Sequence, residues 1–382
     1  MKHEAASGIL LLAAGVLAFG LANSPWGNSY LHFWERELGA QVGGWNLRRS
    51  LEWIVNDGLM AVFFFQVGLE IRLEQSHGQL AEWRRAALPV AAALGGMLVP
   101  ALVYLSLAGG PETRSGWGVP MATDIAFALG VLALLGKRCP PSLRVLLLAV
   151  AVIDDLGAIL VILFFYSEGV TPGPLPVALA ALAVVWLLGR RGVESKLAYL
   201  PPIFVAWLAT YSAGIHPTIA GVAAGMLMPV ATRSGGRASL ADELVHGLHP
   251  WVNFAIMPIF ALANAGVALG SAKVQGAGSH VLLGCGLGLL VGKPVGVWLA
   301  SFAALRLGIA RVPEGLGPRH MVVLGVLTGI GFTMALFITK LAFDEPHLLA
   351  AAKLGVLAAS VLAGLVAYVA GRVLLRGSAS VA

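Results

Sequence analysis

LLLAVAVIDDLGAILVILFF (146–165) decides how the rest of the chain is read. A helix needs about 20 mostly apolar residues to cross the hydrocarbon of a bilayer, and this stretch supplies them with two carboxylates, Asp154 and Asp155, in the middle. Each carboxylate at a helix centre costs roughly 2.5–3.5 kcal/mol, so keeping both points to chemistry. Adjacent positions on an α-helix diverge by about 100°, so the two side chains flank one crevice. A pair of carboxylates facing a wet cavity suits a hard cation or protons. Neighbouring carboxylates also resist ionising together and titrate as a coupled pair. Cation and proton therefore compete for the same two groups, which is the minimum machinery of an exchanger.

Outward from that stretch the chain keeps the same character. Of its 382 residues 58% are hydrophobic and 12% charged, against roughly 45–50% and about 25% in soluble domains. Apolar runs place twelve spans at about 7–22, 51–69, 86–108, 116–136, 142–166, 175–189, 197–212, 216–230, 249–269, 281–304, 320–342 and 348–371. The first is read as a span and not a cleaved signal peptide, because eleven more follow. With the N-terminus cytoplasmic, 17 of the 25 basic residues fall in cytoplasmic segments and 6 in external ones, which by the positive-inside rule puts both termini inside. The net charge of +6 thus belongs to loops between spans and not to a nucleic-acid surface. Asn23–Ser50 is expected to form a small surface hairpin turning at Gly43-Gly44. Cys139 and Cys285 lack disulfide or metal-ligand spacing.

Other polar groups sit where lipid disfavours them. Asp124 follows Pro120 and Thr123 and precedes a fresh apolar run, so it reads as the N-cap of a helix that restarts inside the membrane. Gly329, Gly331 and Thr333 interrupt the span 320–342 in the same way. Spans three to five and ten to twelve each carry a broken middle helix and start on opposite sides, the pattern of an inverted repeat with discontinuous helices meeting at midplane. Lys293, beside Pro294, is the cation well inside a span, and it suits a counter-charge for Asp154, for Asp155, or for the C-terminal dipole of a broken helix.

NDGLMAVFFFQVGLE (56–70), PMATDIAFALGVLALLG (120–136), AVIDDLGAI (151–159), GIHPTIAGV (214–222), LHPWVNFAIMPIFALANAGV (248–267), GKPVG (292–296) and GIGFTMALFI (329–338) together resemble the NhaA family of Na+/H+ antiporters. The resemblance implies an all-α polytopic membrane protein of twelve transmembrane helices, with inverted-topology repeats and two discontinuous helices crossing at midplane. It divides the chain into 1–70 and 216–270, a panel and dimer-interface region, 84–166 and 281–376, the two core repeats, and 175–212, the connecting spans. It makes Asp154 and Asp155 the Na+ and proton site, Thr123, Asp124 and Lys293 the charge compensation at the breaks, and Glu70, Glu74, His216, His246 and His249 positions of pH response. Leu73 and Val245 depart from the pattern, which often has Arg and Glu there.

The implied activity is electrogenic, pH-regulated exchange of cytoplasmic Na+, and Li+ with it, for external protons across a bacterial cytoplasmic membrane. The lipid bilayer and a second copy of the chain are the implied partners, without cofactor or nucleic acid. A sodium-coupled organic anion symporter is the alternative on a similar scaffold. An intramembrane aspartyl protease fits less well, because its two aspartates lie on separate helices and here they are adjacent.

Overall fold

The computed structural model describes the chain except residues 1, 40, 43–44, 47, 168, 232–237, 271–274 and 376–382. The proposed Gly43-Gly44 turn and the basic residues Arg233, Arg237, Lys273 and Arg376 therefore lie outside the described residues. The chain opens with α1 (Lys2–Ala22), α2 (Gly27–Glu35) and four two-residue strands, β1 (Glu37–Leu38), β2 (Gln41–Val42), β3 (Trp45–Asn46) and β4 (Arg49–Ser50). Next come α3 (Leu51–Trp53), a π-turn at Ile54–Leu59, α4 (Met60–His77), α5 (Trp83–Ala108), a 3-10 segment at Arg114–Met121, and α6 (Ile125–Leu134). They are followed by α7 (Pro141–Phe165), α8 (Leu175–Arg190), α9 (Lys196–Ser212), α10 (Thr218–Met226) and α11 (Leu240–Trp251). A π-turn at Val252–Ile256 leads into α12 (Met257–Asn264), and α13 (Ala277–Leu287) runs through a π-turn at Gly288–Gly292 into α14 (Lys293–Arg306). The chain closes with α15 (Pro318–Thr328), α16 (Phe332–Ala342) and α17 (Pro346–Leu374).

Among the described residues eight helices are long and apolar enough to cross a membrane, and the α15–α16 pair, bent by 43°, makes a ninth. The stretches read as spans at 175–189, 197–212 and 216–230 are helices of 16, 17 and 9 residues. Leu98, Leu102, Phe164, Leu197 and Leu365 stand exposed on helix surfaces. In water such a coat would be a liability, and in hydrocarbon it is what a span needs.

Two expectations change. The 23–50 segment is not hairpin throughout: Tyr30, Phe33 and Trp34 recur at helical spacing in GNSYLHFWE, which forms α2 before the antiparallel pairs β1–β4 and β2–β3 begin. The first half of the fourth span is 3-10 and not α-helix, because Gly116, Gly118 and Pro120 within eight residues deprive it of α-helical stability.

The chain divides into two compact units. One holds Met1–Gly27, Glu82–Ala158 and Asn264–Ala382, and therefore the Asp154–Asp155 stretch, Lys293 and both helix breaks. The other holds Asn28–Ala81 and Ile159–Ala263, built around buried Leu69, Val185, Tyr199, Met228, Leu240 and Ala241. In this second unit Arg49 of β4 stacks over the rings of Trp53 and Tyr211, 5.5 Å from each centroid, and its Nε donates to the Tyr211 hydroxyl at 3.1 Å. That fastens the hairpin to α9.

Candidate functional site

Packing between α5 and α14 brings the site's cation to its anion. A Cβ on Gly95 would lie 2.1 Å from the Gly296 carbonyl oxygen, so only glycine lets these two backbones touch. The π-turn at Gly288–Gly292 inserts an extra residue into the turn just ahead of Lys293 and so resets which way that side chain faces. Gly157 on α7 does similar work three residues after Asp154: a Cβ there would meet Met97 Sδ of α5 at 2.2 Å.

Lys293, Asp154 and Asp155 are each 1% exposed. Lys293 Nζ donates to Asp154 Oδ2 at 2.7 Å and also to the Met121 carbonyl, which ends the 3-10 half of the fourth span. One ammonium thus touches both a carboxylate and the carbonyl that ends a half-helix. Asp155 acts electrostatically on Lys293, and the hydroxyl and amide of Thr123 face Asp154. Two carboxylates beside a threonine hydroxyl form a hard oxygen donor set of the kind alkali and alkaline-earth cations prefer.

The two interrupted spans cap one another. Asp124 Oδ1 accepts the Phe127 N–H of α6 at 2.9 Å, while Oδ2 accepts from both the amide, at 3.1 Å, and the hydroxyl of Thr333 at the start of α16. In return the Asp124 amide donates to the Ile330 carbonyl at 2.7 Å, and the Thr123 hydroxyl to the Thr328 carbonyl at 3.0 Å. Gly329 and Gly331 form the break itself, and a Cβ on either would come within 2.7 Å of Leu289. One group was not flagged by the sequence reading: Ser360 of α17 accepts the Phe332 N–H at 2.9 Å. Its only sequence signal was a hydroxyl inside an apolar span.

A family model described as Na+/H+ antiporter 1 matches residues 1–370. The chain belongs to that family. It is 56% identical over 416 residues to "Na(+)/H(+) antiporter NhaA 2" of Myxococcus xanthus, covering 98% of this chain and 88% of the relative. It is 46% identical over 389 residues to "Na(+)/H(+) antiporter NhaA" of Escherichia coli, covering 99% and 100%. A sodium proton antiporter structure from Methanocaldococcus jannaschii superposes with a TM-score of 0.56 over 96% of this chain and 92% of that one, at 15% identity, and so speaks for the fold alone. Membership makes the chain a Na+/H+ antiporter of the NhaA type, a multi-pass membrane transporter and not an enzyme. The symporter and protease alternatives gain no support.

The positions expected to serve pH response all fall in the second unit. Glu70 accepts from Gln66 Nε2 at 2.8 Å, Glu74 accepts the Gln79 amide at 2.7 Å, and His246 lies 2.7 Å from the Asp242 carbonyl. His249 meets Asn253 at 3.1 Å. His216 does not cap α10. Its Nε2 lies 2.9 Å from the Tyr166 carbonyl, and Pro217 holds the cap position. Leu73 and Val245, the two departures, pack against the same apolar cluster around Leu69 and Leu240.

Proposed function

We propose that this antiporter carries its ions on Asp154 and Asp155, taking cytoplasmic Na+, and Li+ with it, outward in exchange for external protons. The observation that carries this reading is the buried contact of Lys293 Nζ with Asp154 Oδ2 at 2.7 Å, next to Asp155 and to both helix breaks. An unhydrated cation arriving there needs carboxylate oxygens, and Asp154 can offer both of its own only when the ammonium moves off. Protons reaching the same oxygens displace the cation in turn, so the pair is loaded with one species or the other and faces the two sides of the membrane alternately. Thr123, Asp124 and Lys293 hold the half-helix ends near neutrality, which leaves the charge of the cargo to set the balance.

If two carboxylates return with two protons for each Na+ carried out, transport responds to voltage as well as to ΔpH. The basic-residue asymmetry supports cytoplasmic termini in a bacterial inner membrane. The β-strand segment before α3 is a candidate contact for a homodimer, and Glu70, Glu74, His216, His246 and His249 are candidates for pH response. In proteoliposomes, Na+-dependent dissipation of a preset ΔpH tests the site. Asp155→Asn should insert and purify, since it removes a costly buried charge, yet lose that signal. Normal exchange by this variant with unchanged Na+ affinity would remove Asp155 from the mechanism.

A further inference from the structure

We propose that Ser360 is a positioning residue for the ion site: by accepting the first N–H of α16 it fixes where the positive end of that half-helix stands. The inference rests on reading Asp154 and Asp155 as the ion site. A helix that starts inside a membrane exposes several N–H groups with no partner of their own. At α16 the Thr333 N–H goes to Asp124, and the Phe332 N–H, one residue earlier, goes to Ser360 Oγ at 2.9 Å. The serine is set up as an acceptor, since its own proton goes to the Val356 carbonyl at 2.7 Å and leaves lone pairs for α16. Ser360 is fully buried, so water is not at hand to take its place.

From this contact the connection to the ion site is short. Phe332 is followed by Thr333, Thr333 is held by Asp124, and Asp124 adjoins Thr123, which faces Asp154. The Phe332 ring also meets Phe127 edge-on at 5.8 Å, and Phe127 is the residue whose amide Asp124 caps. A helix N-terminus carries roughly half a positive charge, felt mainly within its first turn. A loosened α16 start therefore changes what a bound cation experiences more than it changes turnover.

Na+-dependent exchange in proteoliposomes separates this from a purely structural role. Ser360→Ala should raise the apparent KM for Na+ by about two- to fivefold, with the maximal rate held within about twofold. Ser360→Thr keeps the oxygen and should restore the KM. Should its extra methyl group prevent insertion, Ser360→Cys, with a weaker acceptor, should fall between alanine and wild type. A Ser360→Ala protein that melts early but keeps the wild-type KM overturns the inference. Asp155→Asn, run alongside, keeps the two readings apart: normal transport by that variant sinks the ion site, whereas its loss together with a wild-type KM in Ser360→Ala sinks only the role of Ser360.

Discussion

Thr333 gives both its amide and its hydroxyl to one carboxylate oxygen of Asp124, a residue 209 positions earlier in the chain. The other oxygen caps α6. A single aspartate therefore serves the N-termini of both discontinuous helices. Asp124→Ala strands donors at both starts, and each buried unsatisfied donor costs about 1–3 kcal/mol. Thermal unfolding in detergent should show a loss of about 3 kcal/mol or more. Asp124→Asn keeps an oxygen for only one of the two helices and should lie between. Equal stability of all three proteins would separate the aspartate from the integrity of the crossing.

Much of this could be read from residues alone. Asp124, Asp154, Asp155 and Lys293 stand out because lipid penalises them individually, and Pro120, Gly329 and Gly331 mark the breaks because they weaken helices. What stayed hidden was geometry that leaves no compositional trace. The π-turn before Lys293 adds one residue to a turn without changing the apolar pattern. The Met121, Ile330 and Thr328 carbonyls act through the backbone, which every residue has. The helix α2 leaves no distinctive trace, since nine residues rich in aromatics suit strand or helix alike.

Leu73 and Val245 lean on one apolar cluster. Leu73→Arg alone puts a charge against this partly buried face, one turn from Glu70, and should cost about 1 kcal/mol. Adding Val245→Glu supplies a partner and should recover part of that loss, while introducing a pH dependence that the apolar pair lacks. Strict additivity of the two substitutions in thermal unfolding would show that the positions do not interact.

Cysteine labelling reads the topology. Burial pushes the native Cys139 thiol up to about 11, so its thiolate fraction and maleimide reactivity should rise about tenfold per pH unit below that value and stay low near neutrality. On a background without Cys139 and Cys285, Ser195→Cys should react only with reagent that reaches the cytoplasm, and Gly173→Cys only from outside. The reverse pattern would invert the orientation.

The sharpest division concerns Lys293. If its proton is part of the cargo, a side chain that cannot titrate reduces the protons carried per cation, and transport survives in electroneutral form. If it serves to balance charge, its loss strands the Asp154 carboxylate and the Met121 carbonyl together in a buried site. Breaking a buried pair by removing one partner typically costs about 3–5 kcal/mol, whereas removing both charges is often close to neutral. Two contacts made by one ammonium favour balance. Lys293→Gln should then melt at a markedly lower temperature in detergent, and Lys293→Gln combined with Asp154→Asn should regain most of the stability despite losing transport. Whatever exchange Lys293→Gln retains in proteoliposomes should still respond to membrane potential. A Lys293→Gln protein of wild-type stability, with transport that ignores the potential, would instead make Lys293 a proton carrier.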